Sequence, residues 1–304
     1  MTTTKQHEVL ASNWIDPMPE KAKQYPPILL LIQFLFNTLG RIFPKAGGKI
    51  AYYFFTKPRT RAKHKQSDDI LESAKIFEFM YGRSILKGYE WGNGDKTILL
   101  VHGWESRGTG LRTFVPALLN SGFRVVAFDG PAHGDSSGNR TTLPHFAGAV
   151  KAAIKQLGGV YGIITHSFGG ASTAFALVHL DNSIRAKKLV FIGVPARLDR
   201  IIQKVINTLK LPPKAAQYFI DNVASKLGEV PSEEANIIAI GHKMNVEDIL
   251  IIHDRKDAAV PFVSAEEMYK YLPNASLLET NGYGHYRLMK NPDLIDRVCW
   301  FIHE

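Results

Sequence analysis

The sequence contains one cysteine, Cys299, in 304 residues. That excludes an intrachain disulfide and any zinc site built from several cysteines. Without a disulfide framework a reducing compartment is expected, and with it a cytoplasmic location. Cys299 lies in the apolar run Val298-Cys-Trp-Phe-Ile302, the setting of a buried structural thiol. The uncharged span from Tyr25 to Gly40 falls short of the ~20 residues a spanning helix uses. Residues 1–24 are polar and lack the apolar region and small-residue cleavage site of a secretory signal. Internal repeats and low-complexity tracts are absent as well. Hydrophobic residues at 45% and charged residues at 21% then describe an ordinary globular chain of one large domain or two small ones.

Acidic residues are scarce at the start. Residues 1–67 hold 3 Asp/Glu against 11 Lys/Arg, whereas residues 68–304 hold 25 against 26. The larger part is nearly neutral, which argues against a nucleic-acid partner, since such enzymes carry a positive field around the cleft. Within the basic part, Pro26-Pro-Ile-Leu-Leu-Leu-Ile-Gln-Phe-Leu-Phe-Asn-Thr-Leu-Gly-Arg-Ile-Phe43 reads as a helix with its prolines at the start. Arg41 to Lys65 follows with eight Lys/Arg, no acid, and the interleaved run Ile50-Ala-Tyr-Tyr-Phe-Phe55. Three readings of residues 25–65 stand side by side: a helix packed on the body, a peripheral membrane association, and a spanning segment.

From Phe77 the texture changes. Phe77–Met80, Ser84–Trp91 and Thr97–His102 read as strands, and from there helices and strands alternate. The expected helices lie near Thr109–Asn120, Leu143–Leu157 and Asp293–Phe301. The further strands are Arg124–Asp129, Lys188–Gly193, Ile249–His253 and Ser276–Glu279. Alternation of this kind means crossover units and a mainly parallel sheet flanked by helices, an α/β fold. Residues 196–245 break the rhythm with Leu198–Leu209, Pro212-Pro213 and Lys214–Leu227, an expected helical cap over a site. The expected organisation is therefore a helical extension over 1–76, a core over 77–195 and 246–304, and a cap over 196–245.

The whole chain is arranged around Val160-Tyr-Gly-Ile-Ile-Thr-His-Ser167-Phe-Gly-Gly170. A buried strand that turns at once into a helix, with a serine at the turn, is the signature of a nucleophile elbow. Taken alone the motif is equally a serine capping an ordinary helix. Three other strand ends alter that balance. Thr97-Ile-Leu-Leu-Val-His102-Gly103-Trp104 ends in His-Gly. Ile249-Leu-Ile-Ile-His-Asp-Arg-Lys-Asp257 places a carboxylate past a strand, and Gly282-Tyr-Gly-His285-Tyr an imidazole past the last one. In a parallel sheet these loops share the C-terminal edge, where ligands bind. A serine, an aspartate and a histidine in that order are what acyl transfer requires. No spacing of His, Asp and Cys matches a metal-ligand set, and no cofactor is expected.

Here the sequence resembles the α/β-hydrolase family, from about Phe77 to Ile302. Phe128-Asp-Gly-Pro-Ala-His-Gly-Asp-Ser136 is similar to the family's Asp-x-Pro-Gly-His-Gly-x-Ser element, with Ala132 where glycine is usual. His253-Asp-Arg-Lys-Asp257-Ala-Ala-Val-Pro261 is similar to its His-Gly-x-x-Asp-x-x-Val-Pro loop, with Asp254 in place of glycine. Thr165 stands where the elbow usually begins with glycine. The resemblance implies Ser167 as nucleophile, His285 as general base and Asp257 as the acid that orients it. It further implies an oxyanion hole from the backbone N–H groups of Trp104 and Phe168, and His102, Gly103 and His166 around a substrate pocket. A serine in place of aspartate at the nucleophile position implies neither a dehalogenase nor an epoxide hydrolase. The expected activity is hydrolysis of a carboxylic ester or thioester with an apolar part. A non-catalytic binding protein of the same fold, an acyltransferase, a peptidase and a carbon–carbon hydrolase remain alternatives. His102, His133 and Asp129 are expected to brace loops. Asp129, Asp135, Asp199 and Asp254 are rivals of Asp257. Oligomeric state is not legible.

Overall fold

The structure is a computed structural model, and it describes residues 5–10, 27–63, 67–180 and 185–304. Nine strands form one sheet: β1 (His7–Val9), β2 (Lys75–Tyr81), β3 (Ser84–Trp91), β4 (Thr97–Val101), β5 (Arg124–Phe128), β6 (Gly162–His166), β7 (Ala186–Ile192), β8 (Val246–Asp254) and β9 (Ala275–Thr280). Their order across the sheet is β1-β9-β8-β7-β6-β4-β5-β3-β2. Only β2 and β3 are antiparallel to their neighbours. The inner strands β4 and β6 are buried at every residue, as expected of parallel strands covered on both faces, and so read as unbroken apolar runs.

Two helical layers cover the faces. Helices α5 (Leu143–Gln156), α6 (Phe168–Phe175) and α10 (Val263–Tyr271) close one hydrophobic core, which includes Phe146, Phe175 and Met268. Helices α4 (Val115–Asn120) and α12 (Pro292–His303) close the other, with Leu118, Val298 and Cys299. Burial pushes the Cys299 thiol up to about 11, so it packs as an inert apolar group. The remaining helices are short, α3 (Asp69–Glu72), α9 (Ile237–Ile240) and α11 (Gly284–Arg287), or belong to a third core.

That third core joins distant parts of the chain. Helices α1 (Pro27–Ile42) and α2 (Pro44–Thr56) pack on α7 (Leu198–Leu209) and α8 (Pro213–Ala224), burying Phe36, Ala51, Tyr52, Phe219 and Val223 together. Contact between α2 and α8 is close enough that a Cβ on Gly48 would lie 2.5 Å from Tyr218 Cβ. The early helices therefore rest on α7 and α8, which lie between β7 and β8, rather than on the sheet. No helix among the described residues is long and apolar enough to cross a membrane.

Several expected boundaries shift. Residues 1–76 are not wholly a helical extension. His7–Val9 adds a strand to the β9 edge, paired with Leu277–Glu279, and β2 already starts at Lys75. Three residues are too few to show a period, and β1 takes its conformation from the open edge it pairs with. The helix expected over Thr109–Asn120 begins as a 3-10 turn over Gly108–Phe114. Gly108 and Gly110 disfavour an α-helix there, and a Cβ on Gly108 would meet the Phe128 backbone at 2.6 Å. Strand β8 extends past Ile249–His253 at both ends, and α10 was not foreseen.

Candidate active site

The chain winds one way from β4 to β5 and the other way to β6. The ends of β4 and β6 thus flank a switch point, where open α/β sheets form a crevice. Ser167 stands there at φ 53° and ψ −124°, a conformation that costs a non-glycine residue about 1–3 kcal/mol. Two glycines make the turn possible. A Cβ on Gly169 would lie 2.3 Å from His102 O, and one on Gly170 would lie 2.3 Å from Val194 Cγ2. Thr165, the larger residue at the motif's first position, is buried and donates its hydroxyl to Val190 O at 2.8 Å. The same Gly170 leaves room for it, since a Cβ there would stand 2.9 Å from Thr165 Oγ1.

His285 lies on α11, past β9, and Asp257 in the loop after β8. His285 Nδ1 donates to Asp257 Oδ2 at 2.6 Å. That fixes the tautomer in which Nε2 accepts the Ser167 hydroxyl, at 3.0 Å. The other Asp257 oxygen accepts the N–H groups of Ala259 and Val260, each at 2.8 Å. Burial would raise the Asp257 carboxyl. The His285 hydrogen bond and charge, with Val260 N–H and His253, outweigh it and hold the carboxyl below its ordinary value. Trp104 and Phe168 meet edge to face with ring centroids 5.4 Å apart, beside Ser167. Among the described residues the backbone N–H of neither donates to another group.

A cleft of about 540 Å³ opens above these groups. Ser167, His166, His285, Trp104 and Phe168 line its floor. Its upper wall is mostly apolar, from Leu198, Ile201, Val205 and Leu209 of α7 and Val223 of α8, with Lys204 and Thr208 of α7 among them. Tyr52, Phe54 and Phe55 of α2 form a further side.

Residues 98–297 match the model of the alpha/beta hydrolase family. The chain belongs to that family. Among curated relatives it is 24% identical over 242 residues to a bifunctional esterase/perhydrolase of Acinetobacter calcoaceticus, covering 64% of this chain and 87% of the relative. It is 29% identical over 147 residues to the 2-hydroxy-6-oxononadienedioate/2-hydroxy-6-oxononatrienedioate hydrolase of Escherichia coli, covering 45% of this chain and 47% of that one. Among solved structures, an esterase of Pyrococcus furiosus superposes with a TM-score of 0.61 at 22% identity, over 81% of this chain and 96% of that one.

In this alpha/beta hydrolase, two of the three residues expected around a substrate pocket do not line the cleft. His102 is enclosed between loops: its Nδ1 donates to Gly103 O at 2.7 Å and its Nε2 accepts Gly130 N–H at 2.9 Å. Burial depresses it to about 4, so it stays neutral. Gly103 lies behind the elbow, where an added Cβ would touch His166 Nδ1 and Ser167 Cβ at 3.0 Å. His166 does line the cleft, and its Nε2 donates to the backbone carbonyl of His285 at 3.0 Å. Burial, then the neighbouring His285, lowers His166 to about 3.

The rival acids have other work. Asp129 accepts Gly108 N–H, Tyr89 Oη–H and Asp135 N–H, bracing the loop after β5. Asp199 pairs with the adjacent Arg197 on the surface. Asp254 is the residue whose role sequence reasoning missed. Its carboxylate accepts Thr280 Oγ1–H at 2.8 Å, Tyr283 N–H at 2.9 Å and Gly282 N–H at 3.2 Å, and so clamps the loop that carries His285. The available signal was a buried acid at the position where the family's loop has glycine.

Proposed function

We propose that this chain is a serine hydrolase that cleaves a carboxylic ester or thioester bearing an apolar group. The observation that carries the reading is one continuous relay. Ser167 Oγ stands on a strained elbow, 3.0 Å from a His285 nitrogen whose partner nitrogen is held by Asp257 at 2.6 Å. In this reading Ser167 Oγ attacks the acyl carbon while His285 Nε2 takes its proton. The alcohol or thiol then leaves with that proton, and water, activated by the same nitrogen, releases the acid from the acyl-enzyme. Asp257 keeps the tautomer and stabilises the imidazolium. The free N–H groups of Trp104 and Phe168 are the donors for the oxyanion, each worth roughly 3 kcal/mol of barrier.

The mostly apolar upper wall of the cleft supports a substrate with an apolar part, and the A. calcoaceticus relative is named for esterase activity. The test exposes purified protein to a fluorophosphonate and maps the adduct by mass spectrometry. A single adduct on Ser167, lost in Ser167→Ala and His285→Ala, is expected, followed by turnover on a panel of esters and thioesters. Labelling without turnover of any ester or thioester would move the assignment to an acyltransferase, a peptidase or a carbon–carbon hydrolase. No labelling of a folded protein would leave a binding protein as the better reading.

A further inference from the structure

Helix α1 carries apolar residues on both its inner and its outer face, separated by a polar line of Gln33, Asn37 and Arg41, and the fold covers only the inner face. Phe36 and Gly40 face inward on the third core, while Ile28, Leu31, Phe34, Leu35, Leu39 and Ile42 face out, each 42–67% exposed. Phe43, Ile50 and Phe54 carry the exposed strip onto α2. A surface helix ordinarily turns charge to solvent, and a continuous apolar strip of this kind is one that another phase covers. The chemistry of the rim names that phase. Arg41, Lys45 and Lys49 are exposed on the same helix pair, and no Asp or Glu occurs between Lys21 and Ser67. A second copy docked face to face would set this cationic rim against itself. An anionic lipid surface complements both the cations and the apolar strip.

We propose that the outer face of α1 and α2 is a docking surface for an anionic membrane. Lipid headgroups meet Arg41, Lys45 and Lys49, and the apolar strip enters the boundary between headgroups and acyl chains. Phe54 belongs to both the exposed strip and the lining of the cleft above Ser167, so a docked molecule presents the mouth of that cleft to the lipid. This last point rests on the hydrolase reading. The docking itself does not.

The experiment is co-sedimentation of the full-length protein with vesicles of phosphatidylcholine alone and of equal parts phosphatidylserine and phosphatidylcholine. Two variants accompany it: Arg41→Glu/Lys45→Glu/Lys49→Glu, and Leu31→Ser/Leu35→Ser/Leu39→Ser. All six positions are exposed, so circular dichroism and melting checks that both variants stay folded. Wild-type protein is expected on the anionic vesicles, released by high salt. The charge variant should partition at least about a hundredfold more weakly, and the serine variant should also lose binding. Equal partition to both vesicles, none to either, or wild-type binding by the serine variant would overturn the proposal. So would a dimer in light scattering that the serine variant dissociates, with no vesicle binding. Ser167→Ala protein should bind vesicles as the wild type does. Failure of fluorophosphonate labelling would leave the docking result untouched, so the two readings fail separately.

Discussion

Asp254 shows how one side chain can position another without touching the reacting atoms. It accepts three donors from the segment Thr280–Tyr283, and His285 follows directly. Asp254→Ala would leave these donors without an acceptor in a buried place. A loss of about 3 kcal/mol in unfolding free energy is expected, read from the urea midpoint, with slower fluorophosphonate labelling of Ser167. The buried histidines give a pH signature. His102, His133 and His166 are depressed by burial to about 4, about 3 and about 3, so all three are neutral in the folded protein. Unfolded, each would bind a proton below its ordinary value near 6.5. The unfolded state therefore holds more protons between pH 6.5 and 4, and stability falls as the pH drops through that window. The urea midpoint should be lower at pH 5 than at pH 7.5, and His166→Gln should flatten the slope. Asp257, held below its ordinary value, adds a loss in the same direction only at lower pH.

At the scale of elements, close approach of backbones fixes the arrangement. Helix α2 crosses α8 at Gly48, where even a methyl group would meet Ala215 O and Phe219 N at 2.8 Å. Gly48→Val should part the two helices, lower the melting temperature and open residues 57–63 to proteases, at a cost of about 1–3 kcal/mol. The inner strands were legible in the sequence because burial on both faces leaves them as plain apolar runs between loop residues. The residues that meet around Ser167 were legible for a related reason: each lies at most a few residues past such a run. What was not legible depends on partners remote in sequence. β1 has no pattern of its own and exists by pairing with β9. His102 looks like a pocket residue until the Gly130 loop is seen closing over it. Nor does an apolar helix such as α1 reveal from its own residues which side the fold will cover.

Across the whole molecule, α7 and α8 are tied both to the early helices and to the body that carries the sheet. Arg200 of α7 pairs with Glu267 of α10 through both carboxylate oxygens, and Lys204 donates to Ala258 O and Ala259 O beside Asp257. Arg59, just after α2, reaches Glu105 in the loop that follows Trp104. Deleting residues 1–67 would therefore strip α7 and α8 of their cover. Such a truncation should aggregate in size-exclusion chromatography, while the serine variant of the outer α1 face should not.

The third core also sets a timetable for synthesis. Helices α1 and α2 are made before their partners, which are complete only when Ala224 has been added. At about 5–20 residues per second this leaves an apolar hairpin without its cover for on the order of ten seconds. During that interval both of its faces are available to chaperones or to a bilayer, before the cleft has a wall.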